Sequence, residues 1–153
     1  MLRVSKLADY GTVVMVYLVH HRDKLCSARD IATHTHLSIP TVSKILKQLT
    51  AAGLLVSVRG VSGGYRLSRL PELISVADIL FALDEQRGII ECHMKPDDCS
   101  LSKVCGIQRN WRIISQAIES ALISVSLASL AAPELSAQDA AQVRQLAMGV
   151  KGG

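Results

Sequence analysis

The sequence predicts a mainly α fold with one small β-hairpin, on three observations. Aromatic residues make up only 3% of the 153 residues while apolar residues make up 49%, so the core must be aliphatic. Apolar positions recur at helical spacing through most of the chain. Between residues 54 and 67 the pattern switches to two short extended runs around a glycine-rich turn. The length suits one compact domain, or a small domain with an appendage. The apolar content excludes wholesale disorder.

Each element has a local cause. Ser5 caps a first helix running to about His20, with Tyr10, Val13, Val14, Tyr17 and Leu18 as its buried stripe. The polar residues 20–23 read as a loop. Ser27 and Asp30 form a capping-box-like start to a short second helix, which turns Ile31 and Ala32 inward and ends near His34. Ser38 caps a third helix. Pro40 falls in its first turn, where a missing N–H costs little, and Val42, Ile45, Leu46 and Leu49 form its apolar face. Gly53 stands where a helix end calls for a left-handed residue. Residues 54–58 and 65–67 are the hairpin strands.

Ser75 and Asp78 start a further helix with Ile79, Leu80 and Leu83 inward. Residues 88–106 have little periodicity and hold three of the four cysteines. A long helix is expected over residues 104–130, because Ile107, Trp111, Ile114, Ile118, Ala121 and Val125 step by four and three. Such a stripe packs against a second helix of like character. The remainder, 131–153, reads as a poorly ordered tail with one weak helix over residues 137–148. The expected organisation is therefore a head over residues 1–70, a loop and dimerisation helix over 71–130, and the tail.

Charge separates the halves. Residues 1–70 carry ten Lys and Arg against three Asp, a net +7, while residues 71–153 carry −3. A basic head suggests a polyanionic partner. The longest uncharged, mostly apolar stretch, residues 120–133, is too short to span a bilayer. The apolar run 11–19 ends in His20-His21-Arg22 with no small-residue cleavage site. A cytoplasmic protein with no membrane partner is expected, with its cysteines as thiols or metal ligands before disulfides. No phosphate-binding glycine loop, His-Glu-x-x-His or Gly-x-Ser-x-Gly pattern is present, so neither an enzyme nor a small-molecule substrate is expected.

Two short helices joined by a tight turn and followed by a hairpin describe a winged helix-turn-helix. Its second helix would enter the major groove of double-stranded DNA by its N-terminal end, offering Ser38, Pro40, Thr41, Ser43, Lys44 and Lys47. At the hairpin tip, Arg59 beside Gly60 suits the strongly negative potential of a narrow minor groove.

Three stretches carry a resemblance covering residues 1 to about 130. They are Leu2-Arg-Val-Ser-Lys6, Ala28-Arg-Asp-Ile-Ala32 and, most specifically, the helix end and wing Gly53-Leu-Leu-Val-Ser-Val-Arg-Gly-Val-Ser-Gly-Gly-Tyr-Arg-Leu67. The sequence resembles the IscR/NsrR/RirA family of bacterial iron–sulfur transcription regulators. Within it, the sequence looks most like regulators of SUF-type cluster assembly. The resemblance implies a homodimeric DNA-binding regulator, most often a repressor, acting on cluster-assembly or iron and stress genes. It would sense cluster status, redox state or nitric oxide.

Cys92, Cys99 and Cys105 lie six and five residues apart in the irregular segment before the long helix. Wide spacing without Cys-x-x-Cys pairs favours an iron–sulfur cluster over structural zinc. The alternatives are a regulator with a reversible thiol switch and no metal, and, behind it, an iron–sulfur electron carrier, which would not need a basic head. The resemblance implies that these three are cluster ligands, of a 2Fe-2S or 4Fe-4S centre, with one residue more between the first two than a common family spacing. Where some members carry a ligating His, this chain has Gln108. In others an Asp near the start of the first helix reaches the partner subunit's cluster, and Asp9 matches that segment. His93 competes as the fourth ligand. Cys26 stands apart as a small buried residue.

Overall fold

The computed structural model describes residues 4–84, 108–134 and 137–149. Helix α1, Lys6–His20, begins after Ser5, whose side chain accepts the Ala8 N–H. Helix α2, Ala28–Thr35, has a complete capping box: Ser27 and Asp30 satisfy each other's backbone N–H. His36 then takes a left-handed conformation (φ 56°), the sharp turn that redirects the chain into the next helix. Helix α3, Ile39–Ala51, is capped by Ser38. Gly53 follows it at φ +77°, as its position suggests.

Strands β1, Leu55–Val58, and β2, Gly64–Leu67, pair antiparallel with Leu55 opposite Leu67 and Val58 opposite Gly64. The free edge of β2 is also occupied. Cys26 N–H donates to Tyr65 O at 3.0 Å and Tyr65 N–H to Cys26 O at 2.8 Å. The segment before α2 thus acts as a one-residue third strand that anchors the hairpin to the helices. After a 3-10 turn, Pro71–Leu73, helix α4, Val76–Leu83, starts with a second capping box, Ser75 with Asp78.

The core is aliphatic, as the composition requires. Val14, Met15, Leu18, Ile31, Val42, Ile45, Leu46, Leu49, Ile74 and Ile79 are all essentially inaccessible. The stripe of α1 is rotated from the expected one: Ala8, Gly11, Val14, Met15 and Leu18 are buried, whereas Val13 is 45% exposed. The cause is close packing. A Cβ on Gly11 would overlap Leu83 Cδ1 of α4, so the smallest residue marks where the two helices approach.

The long helix is shorter than expected. Helix α5, Gln108–Ser124, stops, and a separate helix α6, Leu127–Ala131, begins after the cap Ser126. At ~1.5 Å per residue α5 is roughly 26 Å long, against about 40 Å for the continuous rod over residues 104–130. The break has a tertiary cause. Val76 N–H donates to Val125 O at 2.9 Å and Leu127 N–H to Ile74 O at 2.7 Å, so the backbone leaves the helix to pair with the start of α4. Leu127 is then fully buried in the core of the head. Of the expected stripe, Trp111 and Ile114 are exposed, Ile118 and Ala121 half-buried and Val125 buried. Residues 104–107 lie outside the described residues. The tail contributes helix α7, Ala137–Gly149, packed along α5. Among the described residues no helix is long and apolar enough to cross a membrane.

Candidate nucleic-acid interface

Helix α3 divides cleanly. Val42, Ile45, Leu46 and Leu49 are buried at 0% exposure, while Ser38, Ile39, Pro40, Ser43, Lys44 and Lys47 are exposed. Burying one arc against α1, α2 and α4 leaves the opposite arc and the N-terminal end to solvent. Ser38 is committed to the cap: its Oγ accepts the Thr41 N–H at 3.3 Å and lies 2.7 Å from Thr41 Oγ1. Lys44 and Lys47 form no ion pair among the described residues. Two free ammonium groups on the exposed arc are available to phosphate.

The hairpin loop carries Arg59, Gly60 and Val61, all exposed, with Gly60 at φ +117°. A Cβ on Gly63 would collide with Val58 O, and one on Gly64 would meet the Cys26 backbone O and C at 2.7 and 2.9 Å. The wing glycines are therefore explained by packing at the base of the hairpin as well as by access at its tip. Arg59 sits on a loop whose base is fixed at both edges.

Two features of the head escape the sequence reading. Ile39, at the first position of α3, is 48% exposed, although it is one of the larger apolar residues. Its offset from the Val42, Ile45, Leu46, Leu49 arc was the available signal. The second is an aromatic cluster. Tyr17 stacks on His21 with centroids 4.1 Å apart, and His34 lies 5.3 Å from Tyr17. His21 Nδ1 is 2.8 Å from Tyr17 O and His34 Nδ1 2.8 Å from Asp30 O. A carbonyl only accepts, so both rings donate from Nδ1.

Cys26 lies beneath this cluster, 1% exposed. Burial pushes its thiol pKa up, with Lys24 opposing, so it remains a thiol at neutral pH. Burial also raises the Tyr17 phenol, helped by Cys26 and Asp30. Asp30 is held below the usual carboxylate range, first by the Ser27 hydroxyl and then by the Ser27 backbone N–H.

Of the expected cluster ligands, only Asp9 falls among the described residues. Cys92, Cys99, Cys105 and the competing His93 lie outside the described residues. Asp9 is described: it is exposed in the first turn of α1, and its carboxylate makes no hydrogen bond or ion pair among the described residues. No three potential ligands gather as a metal site among those residues.

Residues 4–133 match the family model Rrf2, described as iron-dependent transcriptional regulator. The HTH-type transcriptional regulator IscR of Aliivibrio salmonicida is 32% identical over 130 residues, 84% of this chain and 77% of that protein. Two solved structures share the fold. CymR, described as the global cysteine regulator of B. subtilis, superposes with a TM-score of 0.67 at 30% identity, over 86% of this chain and 97% of CymR. IscR of T. potens gives 0.62 at 34% identity, over 83% of this chain and 84% of that one.

Proposed function

Since the chain belongs to the Rrf2 family of transcriptional regulators, we propose that it is a homodimeric repressor whose winged heads read a pseudo-palindromic duplex under control of an iron–sulfur cluster. That it is a DNA-binding regulator follows from the family. The observation that carries the DNA contact is the exposed arc of α3, with unpaired Lys44 and Lys47, on the same head as the anchored wing that presents Arg59. Ser38 starts the reading helix, Pro40 and Ser43 are exposed beside it, half-buried Thr41 lies against the Ser38 hydroxyl, and Gly60 keeps the wing tip thin.

The donor chemistry fits a cluster. Cys92, Cys99 and Cys105 supply soft thiolates, and Asp9 is an exposed carboxylate free of partners among the described residues. Bound there, the cluster would supply a centre sensitive to oxidation and nitric oxide. The chain couples the cysteine segment to the head at both ends. That segment leaves α4, which packs on α1 and α3, and enters α5, whose far end is tied to α4 through Val125 and Leu127. Helices α4 and α5 thus touch each other, and α4 packs directly on the reading head.

A second reading has its own support. The likeness to CymR, which for Staphylococcus aureus is described in an oxidized form, supports a redox-responsive thiol switch using the same three cysteines. Anaerobic purification separates the two. The cluster reading expects a coloured protein with iron and sulfide in equal number, lost in Cys99→Ala while helical content stays. Asp9→Ala is expected to release the cluster faster. Colourless oxygen-free protein with no iron would leave the thiol switch.

A further inference from the structure

We propose that Ile39 reads the C5-methyl group of a thymine in the major groove; this rests on the reading of α3 as the DNA-contacting helix. Base edges are reached by the N-terminal residues of such a helix, so the chemistry offered at that end decides what is read.

Beyond the exposed Ser43 hydroxyl, little hydrogen-bonding capacity is left there. The hydroxyls of Ser38 and Thr41 lie 2.7 Å apart, and Ser38 Oγ also accepts the Thr41 N–H. The one amide on the helix, Gln48, has its Oε1 buried. No Arg, Asn, Asp or Glu occurs in α3, so the bidentate partners of guanine and adenine are missing apart from Lys44 and Lys47 further along. What the first turn presents is hydrocarbon: the Ile39 side chain, 48% exposed, and the exposed Pro40 ring.

Ile39 is not a core residue turned slightly outward. Four and eight positions on, Ser43 and Lys47 are exposed too, so Ile39 begins a ridge along the solvent arc. Lys47, on that ridge, and Lys44, beside it, would hold the backbone phosphates while Ile39 faces the groove floor. In that groove thymine alone among the bases carries a methyl group, and a branched aliphatic side chain is its natural contact.

The test uses the whole protein and a duplex selected by it from a random pool. Each thymine is replaced in turn by deoxyuridine, which removes only the methyl and keeps the base pair. At one or two positions per half-site, uracil should weaken binding about fourfold, equivalent at ~1.4 kcal/mol per decade to one buried methyl. Ile39→Ala should bind the thymine duplex about as weakly as wild type binds the uracil duplex, and should no longer distinguish the two. Ile39→Leu should keep the preference, and melting curves of both variants should match wild type because the site is exposed.

Uniform indifference to uracil in the wild type, or a preference that survives in Ile39→Ala, overturns the assignment while leaving DNA binding intact. If no duplex is selected at low salt, the reading of the head falls, and this inference with it.

Discussion

Replacing Gly64 with alanine tests whether the wing works because its base is fixed. A Cβ at this position would sit 2.7 Å from Cys26 O, 2.9 Å from Cys26 C and 3.1 Å from Cys26 N. All three are backbone atoms, so no side-chain rotation relieves the overlap. The hairpin must move off the Cys26 segment. That breaks the Cys26 N–H to Tyr65 O bond of 3.0 Å and the Tyr65 N–H to Cys26 O bond of 2.8 Å. At ~0.5–1.5 kcal/mol net for each, the expected loss is about 1–3 kcal/mol. For a chain of this size that lowers the melting temperature by roughly 2–12 °C. Gly53→Ala is the comparison, because Gly53 is left-handed at φ +77° but has open space around it. It should lose about 1–2 kcal/mol from backbone strain alone, with the wing unmoved. Thermal melts and duplex titrations on both variants, below their melting temperatures, separate the effects. Gly64→Ala should lose DNA affinity well beyond its stability loss, and Gly53→Ala should not. If Gly64→Ala melts and binds like wild type, or if the Cys26 and Tyr65 amides stay equally protected from hydrogen exchange, the anchoring argument is wrong.

Three further outcomes are expected. Arg59→Ala should weaken specific DNA binding by about 1–3 kcal/mol, chiefly at AT positions beneath the wing; competition titrations against an unrelated duplex would expose a purely nonspecific effect. Asp30, held low by Ser27, favours the folded state above the ordinary aspartate pKa of about 3.9, and that contribution disappears as pH falls through its depressed folded value. Urea melts of Asp30→Asn should accordingly show a shallower acid loss than wild type. Cys26, raised mainly by burial, gives the opposite sign: stability is intact below the ordinary thiol pKa of about 8.5 and declines as pH rises through the raised folded value. With the other three cysteines replaced by serine, Cys26 should react with a thiol reagent only as fast as the protein unfolds, and rapid labelling of the folded form would contradict its burial.

The helix starts were legible because they depend on bonds spanning three residues. Ser5, Ser27, Ser38 and Ser75 each accept the backbone N–H three positions on, and Asp30 and Asp78 return the bond. The outward-facing Ser43, Lys44, Lys47 and Arg59 followed from the same short-range periodicity and from the turn glycines. Chemical character was legible too: a basic head, and soft sulfur donors in one segment. The resemblance to known regulators was carried most specifically by the wing motif, itself a local string, and the family model matches residues 4–133.

What the chain alone could not disclose involves residues far apart in sequence. A heptad stripe through residue 125 reads as one continuous rod, but Val125 and Leu127 find better partners in Ile74 and Val76, some fifty residues earlier. Gly11 looks like a weak point in α1 until Leu83 is seen against it. Cys26 looks isolated until Tyr65 pairs with it. Capping and periodicity are satisfied within a turn or two, so sequence determines them; burial of Leu127 and the seating of the wing require surfaces that exist only after the helices have packed.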